Sequence, residues 1–135
     1  GSGEIDIPAF DYRTVSSFGS IEFVGEQREF IGQPAQGASG DKVPLCRIDD
    51  LGFARVGLLK IDVEGMEEAV LRGAARMIER DRPWALVEWI KSDRAALAGF
   101  FEALNYKVYR LGGNLLCVPP DSPITIQHDM PDWRS

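Results

Sequence analysis

Residues 58–74 read LLKIDVEGMEEAVLRGA, and the reading of this stretch decides the fold. An apolar run ends in an acid-Val-acid-Gly turn and passes without a gap into an amphipathic segment, the pattern of a buried parallel strand that feeds a crossover helix. The strand is read over residues 56–63. In the helix that follows, Met66, Ala69, Val70, Gly73, Ala74, Met77 and Ile78 recur at i, i+3, i+4 spacing on one face, while Glu67, Glu68, Arg72, Arg76 and Glu79 fall on the face toward water. Glu68 and Arg72 suit an i, i+4 ion pair. Asp81-Arg82-Pro83 ends the helix, because the residue before a proline is pushed out of helical geometry.

Outward from this unit the pattern repeats once and then changes. Residues 84–89 read as a second buried parallel strand, and Ser92 or Asp93 caps a helix that turns Leu97, Phe100, Phe101 and Leu104 inward. Asn105 suits the left-handed residue after that helix. Residues 106–111 and 114–118 flank Gly112-Gly113, a hairpin turn that calls for positive φ. Upstream, residues 43–48 read as a strand, and Asp49 or Asp50 as the cap of a short helical turn. Residues 4–42 form an irregular or hairpin segment punctuated by Gly and Pro, with candidate strands at 20–24 and 28–31. Gly37-Ala38-Ser39-Gly40 lacks the strand before it and the helix after it that a phosphate loop needs, so it reads as a loop. The fold class is therefore α/β, with parallel strands and crossover helices followed by an antiparallel hairpin. The α/β domain is placed at 43–120, an irregular tail at 121–135 and a cloning scar at Gly1-Ser2-Gly3.

Composition narrows the function. The chain has 135 residues, 44% hydrophobic and 27% charged, with a net charge of −6, which fits one soluble domain with a core of its own. No apolar run approaches the ~20 residues that span a bilayer, so no membrane partner is expected. The acidic balance disfavours a phosphate-binding surface, and nucleic acid is not an expected partner. Cys46 and Cys117 lack metal-type spacing and read as buried free thiols of a reducing compartment, pointing to a cytoplasmic location. His128, the sole histidine, reads as a solvated side chain.

The candidate chemistry sits at the carboxyl ends of the two parallel strands, where ligands bind in such sheets. Lys60, Asp62 and Glu64 alternate, so in an extended strand their side chains leave one face. Three ionisable groups there must pair, meet water or hold a ligand. Asp62 or Glu64 can orient a substrate hydroxyl, take its proton or bind a divalent ion that acidifies it, with Lys60 neutralising the alkoxide; equally, one acid can cap the helix and Lys60 satisfy the other. Glu88, at the end of the next strand, is expected on the same rim, or else in an ion pair with Arg82 or Lys91. Trp84 and Trp89 read as packing residues.

The segment Lys60-Ile61-Asp62-Val63-Glu64-Gly65 with the following Leu71-Arg72-Gly73-Ala74 resembles the strand-end motif of the FkbM family of S-adenosylmethionine-dependent methyltransferases. The resemblance extends through Glu88, Asn105-Tyr106 and Asn114-Leu115-Leu116-Cys117-Val118-Pro119, and more loosely upstream to Asp49-Asp50-Leu51. It implies the second half of a Rossmann-like methyltransferase sheet and S-adenosylmethionine as cofactor. It further implies O-methyl transfer to a small-molecule or sugar-type hydroxyl, with Asp62, Glu64 and Glu88, backed by Lys60, as the acceptor-side wall. No metal is called for. The family's glycine loop and ribose-binding acid are not among these residues, so the chain alone is expected to bind the cofactor weakly or not at all. The central strand then lacks one neighbour, and its edge is expected to be covered by the same strand of another copy, giving a homodimer, or else by residues 4–42 folding back. The alternative is a non-catalytic interaction or oligomerisation module derived from the fold, in which the acids are structural.

Overall fold

The computed structural model describes residues 3–7, 41–124 and 129–135. It divides into two units, 1–47 and 48–135. In the first, β1 (Gly3–Ile7) and β2 (Asp41–Leu45) form an antiparallel ribbon. The candidate strands at 20–24 and 28–31, the loop at 37–40 and His128 lie outside the described residues. Cys46, expected buried, is exposed; Cys117 is buried, and its thiol is pushed up by that burial.

The second unit runs from a single 3-10 turn at Ile48–Asp50 through β3 (Leu58–Ile61), α1 (Glu67–Gly73), α2 (Ala75–Asp81), β4 (Trp84–Glu88), α3 (Arg94–Glu102), β5 (Lys107–Leu111) and β6 (Asn114–Val118). The four strands form one mixed sheet in the order β3-β4-β6-β5. β3 and β4 are parallel, and the other two pairings are antiparallel. A parallel pair requires a crossover connection, and α1 with α2 supplies it. The architecture is mixed α/β, as the alternation of periodicities predicts.

Strand alternation places the core. Ile61, Ala85, Val87, Val108, Leu115 and Cys117 are buried and join Leu71, Met77, Ile78, Leu97, Ala98 and Phe101 of the three helices in one cluster. Each large apolar side chain buried there stabilises the fold by roughly 1.5–3 kcal/mol. The opposite face, with Lys60, Leu86 and Leu116, is only partly covered. β3 departs from the sequence reading. It is shorter than residues 56–63 and, at the edge of the sheet, buries only Ile61, while Leu58 is 69% exposed. Its outer side has no strand partner among the described residues, and this is the edge from which the homodimer is expected.

The single helix expected over residues 66–78 is two. At Ala74 the backbone leaves helical geometry (φ −114°, ψ 4°), and α2 restarts with no cap from its own N-cap residue. The cap comes from a distance. The Asp49 carboxylate, with only 1% of its side chain exposed, accepts the Met77 N–H at 2.9 Å, the Arg76 N–H at 3.3 Å and the Arg76 Nε at 3.3 Å. Asp49 was expected to cap a turn of its own; instead it pins that turn onto α2. Asp49→Ala is expected to cost about 1–2 kcal/mol, with Asp49→Asn retaining most of it, as measured by urea unfolding.

The remaining punctuation follows the sequence. Arg82 (φ 50°) ends α2 and Asn105 (φ 63°) follows α3, both left-handed, and Gly112 (φ 59°) opens the hairpin turn. Asp93, rather than Ser92, caps α3 by accepting the Ala95 and Ala96 N–H groups. The tail turns back onto α3: Trp133 Nε1 donates to Glu102 at 2.8 Å, and Arg134 pairs with the same carboxylate. Among the described residues no helix is long and apolar enough to cross a membrane.

Candidate functional site

Sheet register brings the acids together. Ile61 lies beside Val87 in the parallel pair, so the next step along each strand sets Asp62 beside Glu88, and Glu88 is itself paired with Asn114 across β6. Neighbouring strands lie about 4.8 Å apart. Beyond Asp62 the chain turns sharply. Glu64 (φ 51°) and Gly65 (φ 94°) are both left-handed, which swings the Glu64 side chain back toward the strand ends. A carboxylate oxygen from each of Asp62, Glu64 and Glu88 then lies within 4.8 Å of the others. Gly65 is required by its φ, since a Cβ there would meet the Lys91 carbonyl oxygen only at an ordinary 3.5 Å.

Each acid has a distinct environment. Lys60 Nζ pairs with Asp62 at 3.0 Å, the arrangement in which lysine satisfies an acid. Lys91 Nζ pairs with Glu64 at 3.2 Å in a half-buried bridge. The ion pair of Glu88 with Arg82 or Lys91 is not what the structure holds: Arg82 donates to the Leu104 carbonyl at 2.6 Å, and Lys91 is on Glu64. Burial, the negative charge of Asp62, a hydrogen bond with it and the charge of Glu64 raise the Glu88 carboxyl above the ordinary glutamate value, with Lys60 acting against them. Oxygens at this spacing can share a proton, a lysine or a cation.

Neither Asp62 nor Glu64 caps α1, whose start has no side-chain cap at Met66. Glu67, expected toward water, is 1% exposed. Its carboxylate accepts the Val63 N–H at 3.1 Å, the Gly65 N–H at 3.1 Å and the Ser92 hydroxyl. Burial alone would raise this carboxyl, but the hydrogen bonds from Ser92, Val63 and Gly65 outweigh it and hold it below the usual range. The helical wheel missed Glu67 because it treated the first turn as part of a regular solvent face. An acid two residues after the turn glycine Gly65 was the available signal. Asn114 was also missed as a site residue. Its Oδ1 is buried without a hydrogen-bond partner among the described residues, and only the β4–β6 register reveals that it stands opposite Glu88. Trp89 is partly buried, with the Arg94 guanidinium 5.1 Å above its ring.

No curated protein and no solved structure matches the chain. The family described as "Methyltransferase FkbM domain" matches residues 8–110, well over half of the 135 residues and including every acid of the rim. The strand-end motif that carries the resemblance thus lies inside a match extending well beyond it, and the chain belongs to the FkbM methyltransferase family.

Proposed function

We propose that this chain takes part in S-adenosylmethionine-dependent O-methyl transfer. Asp62, Glu64 and Glu88 would form the wall that receives the hydroxyl acceptor, on a sheet that is the second half of a Rossmann-like methyltransferase. The observation that carries the reading is the convergence of three carboxylates from two parallel strand ends, with neither Asp62 nor Glu64 spent on capping the helix. The rim's negative charge suits the positively charged sulfonium. Among the described residues there is no glycine-rich strand-to-helix turn for the adenosine, so the acceptor side is what these residues are assigned.

When bound, the cofactor supplies the electrophilic methyl group. The chain's own part is to orient a hydroxyl in line with it and to receive the hydroxyl proton as the O–C bond forms. Glu88 suits the proton transfer, because a carboxylate raised by burial and by its acidic neighbours is a stronger base than an ordinary one. Asp62 would steady the hydroxyl and Lys60, paired with it, offset developing negative charge.

In 1H–15N spectra titrated with methyl glycosides, with and without S-adenosylmethionine, resonances of residues 62–65, Glu88 and Asn114 are expected to move together. Under turnover with a competent acceptor, Glu88→Gln is expected to lower S-adenosylhomocysteine formation by roughly 10²–10⁴. Shifts confined to surfaces away from the rim, or a Glu88→Gln variant as active as its parent, would refute the assignment.

A further inference from the structure

We propose that Glu67 and Ser92 are positioning residues for the acidic rim: together they clamp the β3–α1 turn to the β4–α3 loop and so set Asp62 and Glu64 against Glu88. The inference rests on the rim being the acceptor site only for its catalytic consequence. The clamp itself is a matter of geometry.

Glu67 holds Glu64 from both sides. Val63 and Gly65, the residues flanking it, both donate their N–H groups to the Glu67 carboxylate. That fixes the turn in which Glu64 takes its left-handed conformation, which is unfavourable for a non-glycine residue and persists only when its surroundings enforce it. The other end of the clamp is Ser92, four residues beyond Glu88. Ser92 gives its hydroxyl to Glu67 and its N–H to the Trp89 carbonyl at 3.0 Å, and Trp89 in turn donates its N–H to Gly113 at 3.0 Å. A continuous chain of bonds therefore runs from the Glu64 turn to the end of β4 and the start of β6, the places of Glu88 and Asn114.

A second link joins the same two loops, the Lys91–Glu64 ion pair. The two links differ in what a ligand does to them. Any acceptor that engages Glu64 or Lys91 competes with that ion pair, which lies at the rim itself. The Glu67–Ser92 bond has its carboxylate buried beneath the turn and is charge-assisted, so it keeps the loops in register while the rim exchanges partners.

Ser92→Ala tests this directly, since Glu67 keeps both backbone donors and the fold is expected to survive. In the folded variant the side-chain carboxyl 13C resonances of Glu64 and Glu88, read at one fixed pH, are expected to shift together, and amide exchange at Gly65 to quicken by about tenfold. Ser92→Thr, which keeps the hydroxyl, is expected to restore both. These readouts need neither cofactor nor acceptor, so their failure is separable from failure of the methyl-transfer reading. A folded Ser92→Ala protein with both carboxyl resonances unmoved, or a Ser92→Thr protein that fails to restore them, overturns the proposal. Should Ser92→Ala not fold, Ser92→Cys, with its weaker donor, carries the same test: a displacement in the same direction supports the clamp, and none refutes it.

Discussion

Glu67→Ala is expected to lower the unfolding free energy by roughly 2–4 kcal/mol, because it leaves two part-buried N–H donors without their acceptor, at about 1–3 kcal/mol each where no water reaches them. The donors are Val63 and Gly65, and Ser92 loses its partner as well. Glu67→Gln is expected to cost far less, since its carbonyl oxygen can accept both amides and the Ser92 hydroxyl can turn to accept from the new NH2. Acid supplies an independent check. The Glu67 carboxyl lies below its ordinary range in the folded protein, so its stabilisation is complete above the unfolded-state value and is lost as pH falls through the folded one. Asp49 behaves in the same sense: burial opposes ionisation, but the Met77 and Arg76 N–H groups and the Arg76 side chain more than offset it. Glu88 has the opposite sign. Its raised carboxyl favours the folded state while protonated, and that contribution fades as pH rises from the ordinary glutamate value through the folded one. Urea midpoints across acid pH are expected to show a smaller acid loss in Glu67→Gln than in the parent. An equal loss in both would mean that the Glu67 carboxyl is not held below its ordinary value in the folded state.

What the sequence made legible was whatever depends on one element at a time. The parallel strand pair, the helix stop at Arg82-Pro83, the left-handed Asn105 and the Gly112 hairpin were all readable, because steric and periodic preferences act locally. The meeting of Asp62 and Glu88 was readable too, since parallel strands end on one rim, whereas Glu64 joins them through a left-handed turn and not through the strand alternation read from the sequence. What escaped depends on contacts between distant segments. Asp49 reaches 27 residues along the chain to cap α2, and nothing local distinguishes it from Asp50. The break at Ala74 has no Gly or Pro of its own to announce it beyond Gly73, a residue also compatible with a continuous apolar face. Glu67 and Ser92 are 25 residues apart and acquire their roles only once both loops are folded. Burial of β3 was overestimated because an apolar run does not say whether a second strand lies alongside.

The second large effect lies in the hydrophobic core. Phe101→Ala is expected to cost about 3–5 kcal/mol, the range for deleting a fully buried aromatic ring that leaves a cavity. Phe101 is 0% exposed and meets two rings edge-on, Phe100 and Tyr106, each with centroids 5.3 Å away. The Tyr106 contact extends the effect. Its hydroxyl donates to the Pro83 carbonyl at 3.0 Å in a buried bond, and burial pushes the phenol up to about 12. Pro83 immediately precedes β4, so the ring stack ties the α3–β5 corner to the strand that ends in Glu88. Without Phe101, Tyr106 loses the wall that orients it, and the Pro83 bond loosens with it. Phe101→Leu keeps most of the volume and is expected to fall well short of the alanine cost. Adding Tyr106→Phe to Phe101→Ala is then expected to cost less than Tyr106→Phe does alone, since the hydroxyl bond is already weakened; neighbours in one network couple by about 0.5–3 kcal/mol. Urea unfolding of the two single variants and the double variant measures that coupling. Strict additivity would mean that Phe101 fills space without holding Tyr106 in place.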